Sequence, residues 1–149
     1  DVQLIAAESA TEEASALDRH VTSLLDQHVR PSDIAVLSFA SKFKDSSAST
    51  SKFARDGRLV KLTTDNVTNP NTDEIVWSTV TDFKGLERRF ICVVDIDELR
   101  TETDIDRLYV AMSRPRVGLW IAMKTSVARQ MADLFLKYSE GAKKALERN

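Results

Sequence analysis

Ser78-Thr-Val-Thr-Asp-Phe-Lys-Gly-Leu-Glu-Arg-Arg-Phe-Ile-Cys-Val-Val94 runs from the hydroxyl-bearing end of one strand, through a polar turn with a single glycine, into five unbroken apolar residues. A strand that is apolar at every position, not at every second one, is buried on both faces, as in parallel sheets covered by helices. The signature recurs on either side, in Ile34-Ala-Val-Leu-Ser-Phe39 and in Leu119-Trp-Ile-Ala-Met123. Shorter strands are expected at residues 2–6, 59–62 and 74–80. Between the strands the period changes to that of helices. Ser9 to Thr11, followed by Glu12 and Glu13, reads as a helix start, and Ala14, Leu17, Val21, Leu24, Leu25 and Val29 continue it to a stop near Arg30-Pro31. Ile105, Leu108 and Met112 mark a second helix. Val127, Met131, Leu134, Phe135 and Tyr138 mark a last one from Ser126 onward. Buried strands alternating with helices predict an α/β fold with a mostly parallel sheet between two helical layers. Ligands of such sheets sit beyond the carboxyl ends of the strands, here after Phe39, Val80, Val94 and Met123.

The 149 residues are one domain's worth, and 42% apolar with 30% charged residues is ordinary for a globular chain. Four glycines and three prolines exclude collagen-like and low-complexity classes. Neither G-x-x-x-x-G-K-[ST] nor G-x-G-x-x-G occurs, so any nucleotide is held without a glycine-rich phosphate loop from this chain. The net charge of -2 gives no basic footprint overall. It is unevenly spread: residues 1–33 carry seven acids against two arginines, and residues 114–149 eight bases against three acids. That asymmetry fits either a polyanion-facing end or solvated helix faces. Cys92 is the only cysteine, inside an apolar run, which suits a buried thiol in a reducing, cytoplasmic setting. No apolar run approaches the length of a membrane span, and no signal-peptide pattern opens the chain. The start at Asp1, on strand-like residues, is that of an excised domain. Residues 41–57, rich in serine and lysine, read either as a weak helix carrying Phe43 and Phe53 or as a mobile loop.

Two stretches carry chemistry. In the first, hydroxyls and turn amides at a strand end suit phosphate oxygens, Gly85 permits close backbone approach, and Glu87 suits a ribose hydroxyl; a plain surface turn explains the same residues. The second is Leu108-Tyr-Val-Ala-Met-Ser-Arg-Pro-Arg116. Pro115 ends the helix near Arg114, leaving that arginine on a rim where it reaches either a transferring phosphoryl group or a local carboxylate.

Together the two stretches resemble helicase motifs V and VI of superfamily 1, in the family's order, with a strand and an acidic connector between them. Asp33-Ile-Ala-Val-Leu-Ser38 resembles the strand that opens the core of that family's second lobe. The resemblance covers roughly residues 2–125 and is to the C-terminal RecA-like domain of UvrD/Rep/PcrA-type DNA helicases, closest to UvrD-like bacterial ones. It implies a three-layer RecA-like domain without a phosphate loop, forming half of an ATP site. ATP and Mg²⁺ then lie between this lobe and an N-terminal RecA-like lobe of the same protein, which supplies the phosphate cradle and the metal's carboxylate. It implies that Arg114 reaches the γ-phosphate, that Gly85 and Glu87 form the nucleotide-facing turn with Lys84 beside it, and that Thr79, Thr81 and Ser38 face single-stranded or duplex DNA. It also implies a DNA-repair type of role. The isolated chain is then inactive. The sequence departs from the family in four ways. Thr81 stands where many relatives have His, Ser-Arg-Pro replaces Thr-Arg-Ala, the Asn-Tyr-Arg segment is missing, and the large inserted subdomain is missing or reduced to residues 41–57. An RNA-directed helicase lobe of the same superfamily and a stand-alone RecA-like interaction module are the alternative readings.

Other residues read as structural. His20 and His28 lack metal-ligand spacing, and no metal site is expected. Asp95, Asp97 and Glu98 follow a buried strand and read as a connector. Trp77 and Trp120 read as sheet-packing groups. Lys143, Lys144 and Arg148 suit either nucleic acid or a solvated helix end.

Overall fold

The computed structural model describes residues 1–133; the expected continuation of the last helix through Leu134, Phe135 and Tyr138, and the basic residues beyond, lie outside the described residues. The order along the chain is β1 (Val2–Ala7), α1 (Ala10–Asp26), β2 (Ile34–Ser38), α2 (Lys52–Arg55), β3 (Leu59–Lys61), α3 (Thr64–Thr68), β4 (Ile75–Thr79), β5 (Arg88–Ile96), α4 (Glu102–Met112) and β6 (Pro115–Lys124), with residues 125–133 helical. The six strands form one sheet in the order β1-β6-β5-β2-β4-β3, and every pair is parallel.

The strands without alternation are those with a core on each face. On one face α1 lays Leu17, Val21 and Leu24 over Val36, Cys92, Val94 and Trp120. On the other, α4 lays Leu108 and Ala111 over Leu37, Ile91, Val93 and Ile121, joined by Val80, Phe83 and Val127. Neighbours in sequence such as Val36 and Leu37 therefore face opposite cores, as the two-residue period of a strand requires.

The first helix stops earlier than the sequence predicts. It ends at Asp26, not near Arg30-Pro31, because His28 takes a left-handed φ of 68°. Val29 N donates to Leu24 O at 3.1 Å and His28 N to Leu25 O at 3.0 Å, the pairing that closes a helix over a left-handed residue. Its start is as expected: Ser9 Oγ accepts from Glu12 N at 3.1 Å.

Residues 41–57 contain two short 3₁₀ turns, Phe43–Asp45 and Ser47–Thr50, and then α2. Serine hydroxyls tie them to buried or half-buried acids. Ser51 Oγ donates to Asp18 Oδ1 at 2.5 Å, Ser47 Oγ to Glu13 Oε1 at 2.9 Å, and Ser46 Oγ to Asp95 Oδ2 at 2.5 Å. Asp95 sits where the β5–β6 register slips, with a left-handed φ of 67°.

Candidate functional site

The sequence-predicted site residues fall at two opposite ends of the sheet. In a right-handed parallel connection the chain must travel back the length of a strand before the next begins. Residues 80–87 make that journey between β4 and β5, which flank β2, so one stretch of polar chain touches both ends. Val80 and Phe83 anchor it, both buried. Phe83 N donates to Thr79 O at 3.2 Å and Leu86 N to Phe83 O at 3.0 Å. Gly85, exposed, takes a φ of 86° that an L side chain rarely adopts. Lys84 and Glu87 are exposed on the same stretch.

The amino end brings the Leu86–Glu87 turn and Arg114 together. α4 ends at Met112, Ser113 caps it, and Pro115 opens β6 opposite Arg88, a strand position that needs no amide proton. Arg114 is half-buried between them. Its Nε and Nη2 donate to Ser113 Oγ at 3.1 and 2.9 Å, and its Nη1 to Leu86 O at 3.4 Å. Arg88 Nη1 donates to Glu87 O at 2.8 Å, so two guanidinium groups rest on successive carbonyls of one turn. Among the described residues no carboxylate lies within ion-pair distance of Arg88, Arg114 or Arg116, whereas Arg89 and Arg107 have Asp33 and Asp104. Burial and the nearby Arg116 lower the pKa of Arg88, opposed by Asp33. Neighbouring guanidinium groups without an ion-pair partner among the described residues, held by weak neutral acceptors, fit a phosphate group. Arg88 was not singled out from the sequence; the available signal was a pair of arginines interrupting the start of an otherwise apolar strand.

The carboxyl end holds Thr79, Thr81 and Ser38, but not equivalently. Thr79 is half-buried and its Oγ1 accepts from Asp82 N at 3.0 Å. Thr81 is exposed. Ser38, expected at the nucleic-acid edge, is buried at 1% exposure, and its hydroxyl donates to the Asp95 carboxylate while accepting from Ala40 N at 2.9 Å. The side chain is thus taken up inside, because the bulge at Asp95 turns a carboxylate onto the end of β2.

Asp95 is therefore more than a connector. It accepts from Ser38, Ser46 and, at 2.8 Å, Ser47 N, while its own N donates to Glu13 Oε1 at 2.6 Å. Burial pushes the Glu13 carboxyl up to about 7, against the lowering effect of those donors. Among the described residues no group of three or more His, Cys, Asp or Glu is placed to hold a metal ion.

The fold recurs in solved structures. The crystal structure of the C-terminal domain of a possible DNA helicase from Lactobacillus strain WCFS1 matches with a TM-score of 0.63 at 14% identity, over 83% of this chain and 73% of that one. Domain 2 of the Mss116p DEAD-box helicase, solved bound to an RNA duplex, matches with a TM-score of 0.53 at 13% identity, over 83% of this chain and 54% of that one. The C-terminal part of the Fun30 ATPase domain matches with a TM-score of 0.51 at 11% identity, over 74% of this chain and 40% of that one. No family model and no curated protein matches the sequence. The chain has the RecA-like fold that these helicase C-terminal domains share. None of its described helices is long and apolar enough to cross a membrane.

Proposed function

We propose that the chain is the second motor lobe of an ATP-dependent DNA helicase of superfamily 1, UvrD-like in its motifs, completing the nucleotide site of a first RecA-like lobe. The observation that carries the reading is the contact of Arg114 Nη1 with Leu86 O. It sets the rim arginine of α4 beside the Glu87 turn, at the end of the sheet opposite Thr79. One stretch of chain then joins a nucleotide-facing carboxylate to a strand-facing hydroxyl.

Mg²⁺-ATP, held mainly by the other lobe, supplies the transferable phosphoryl group. Arg114 exchanges its long contact to Leu86 O for a phosphate oxygen and stabilises charge that grows during transfer. Glu87 accepts a hydrogen bond from a ribose hydroxyl, and Gly85 lets the turn approach without a Cβ in the way. Thr79 and Thr81 donate to the backbone of the strand.

The test uses the complete protein that carries this chain. Arg114→Ala lowers nucleic-acid-stimulated ATP turnover roughly 10²- to 10⁵-fold with the fold intact by circular dichroism. An unchanged kcat would make Arg114 a structural residue and remove the half-site reading.

A further inference from the structure

Glu13 lies in the first turn of α1 and is only 6% exposed. Its Oε1 accepts from Ser47 Oγ at 2.9 Å and from Asp95 N at 2.6 Å, which leaves Oε2 for a proton. The charged groups that face it are Asp95, at the bulge of β5, and Asp97, just past that strand's end, and both are acids. From the serine-rich segment it receives only a hydroxyl. Among the described residues no cation lies within ion-pair distance of Glu13, Asp18 or Asp95.

Those three acids hold residues 46–51 down. Ser46 Oγ donates to Asp95 Oδ2 at 2.5 Å and Ser47 N to Asp95 Oδ1 at 2.8 Å, while Ser51 Oγ donates to Asp18 Oδ1 at 2.5 Å. Between them only Ala48 is a buried apolar group. The segment is a single 3₁₀ turn with a capping serine at either end, Ser46 and Ser51. A short segment fastened by polar contacts opens more easily than the core strands do. Trp77 depends on this fastening, because its Nε1 donates to Ser46 Oγ at 3.2 Å.

A neutral Glu13 is buried at modest cost. An ionised one sits against two acids without a cation, and gains by meeting water. Its second donor belongs to the β5 backbone, so releasing Ser47 is the shorter way to admit that water. We propose that residues 46–51 form a strap, closed on α1 and β5 while Glu13 carries a proton and released when Glu13 ionises, which loosens the carboxyl end of the sheet beside Trp77. The device stands apart from the nucleotide and nucleic-acid roles proposed above. Burial first, and then the two acids, raise the Glu13 carboxyl to about 7 from 4.5, against the hydrogen bonds from Asp95 and Ser47. The closed form therefore holds its proton more tightly than the open form. The fastening is fully present below about pH 4.5 and is lost as pH rises through about 7.

The test is amide hydrogen exchange of the chain, followed by NMR at pH 5.5 and 7.5 and corrected for the intrinsic pH dependence of exchange. Each pH is measured with and without urea well below the unfolding midpoint. The Ser47, Ser49 and Ser51 amides are expected to lose protection by roughly tenfold or more between the two pH values. They are also less protected than Val93 and Ile121 in the core strands and, unlike them, indifferent to urea. Glu13→Gln removes the pH step. A step that survives Glu13→Gln belongs to another group and overturns the strap. So do wild-type serine amides that show no step, or that share the protection and urea response of Val93 and Ile121. These last two outcomes need only the wild-type chain, so the strap is refutable even where the variant does not fold.

Discussion

Asp95 shows how much one residue can organise. Its backbone occupies the left-handed region that only glycine, asparagine and aspartate visit readily, and its carboxylate collects Ser38, Ser46 and the Ser47 amide. Two costs therefore separate on substitution. Asp95→Ala loses both the acceptor and the tolerance of that φ, and should lower stability by about 3 kcal/mol or more in urea unfolding. Asp95→Asn keeps the backbone preference and one acceptor oxygen, and should cost less than half as much. Equal losses would show that the charge alone matters. The positions of Arg114 at a helix end, Glu87 in a turn and Thr79 at a strand end were legible in the sequence because each belongs to a short pattern whose members are neighbours along the chain. Asp95 was not, because its partner Ser38 stands 57 residues away and meets it only when β5 pairs with β2. The same holds for Ser38, whose place at a strand end was read correctly and whose burial was not.

At the scale of elements, the buried strands were readable because burial on both faces removes the alternation that solvent would impose. The end of α1 was not, since nothing in the sequence marks a left-handed histidine, whereas Pro31 marks a helix stop. The serine-rich segment stayed open because serine has no strong helix or strand preference and takes its conformation from the acids it finds. One of those acids makes the α1 junction sensitive to pH. Glu13 has its carboxyl raised to about 7 from an ordinary 4.5. The folded chain thus binds a proton there more readily than the unfolded one. This contribution to stability is fully present below about pH 4.5 and is lost as pH rises through about 7. Glu13→Gln should flatten that loss, so the difference between variant and wild-type urea midpoints grows from pH 5 to pH 8. A constant difference would mean that Glu13 does not titrate in this window. Asp104 works in the opposite sense and outside it: the Arg107 guanidinium, with the Arg100 and Thr101 amides, holds its carboxyl down at about 2, so its contribution is lost only as pH falls from about 4 toward 2.

For the whole molecule, the two cores meet across a sheet whose interior is sealed. Cys92 is fully buried in β5, and burial pushes its thiol up to about 12. Ellman's reagent should label it only through global opening, with a rate whose urea dependence matches that of equilibrium unfolding. Faster labelling with a weak urea dependence would reveal a local opening of β5. The fold class, one sheet with both faces covered, was legible from strand composition; the division of the site between its two ends was not, because it depends on where the crossover surfaces. That crossover has one more consequence. Thr79 lies level with Ser38 and so with Val94, six residues along β5 from Arg88, and two strands to the side. The straight path from Thr79 to Arg88 is thus about 22 Å, and the chain between them reaches about 30 Å when fully stretched. Its turns at Thr79–Phe83 and Phe83–Leu86 take up most of the surplus. The surplus of about 8 Å lies folded in those turns, so a shift of the chain at one end of the sheet reaches the other only after their hydrogen bonds open.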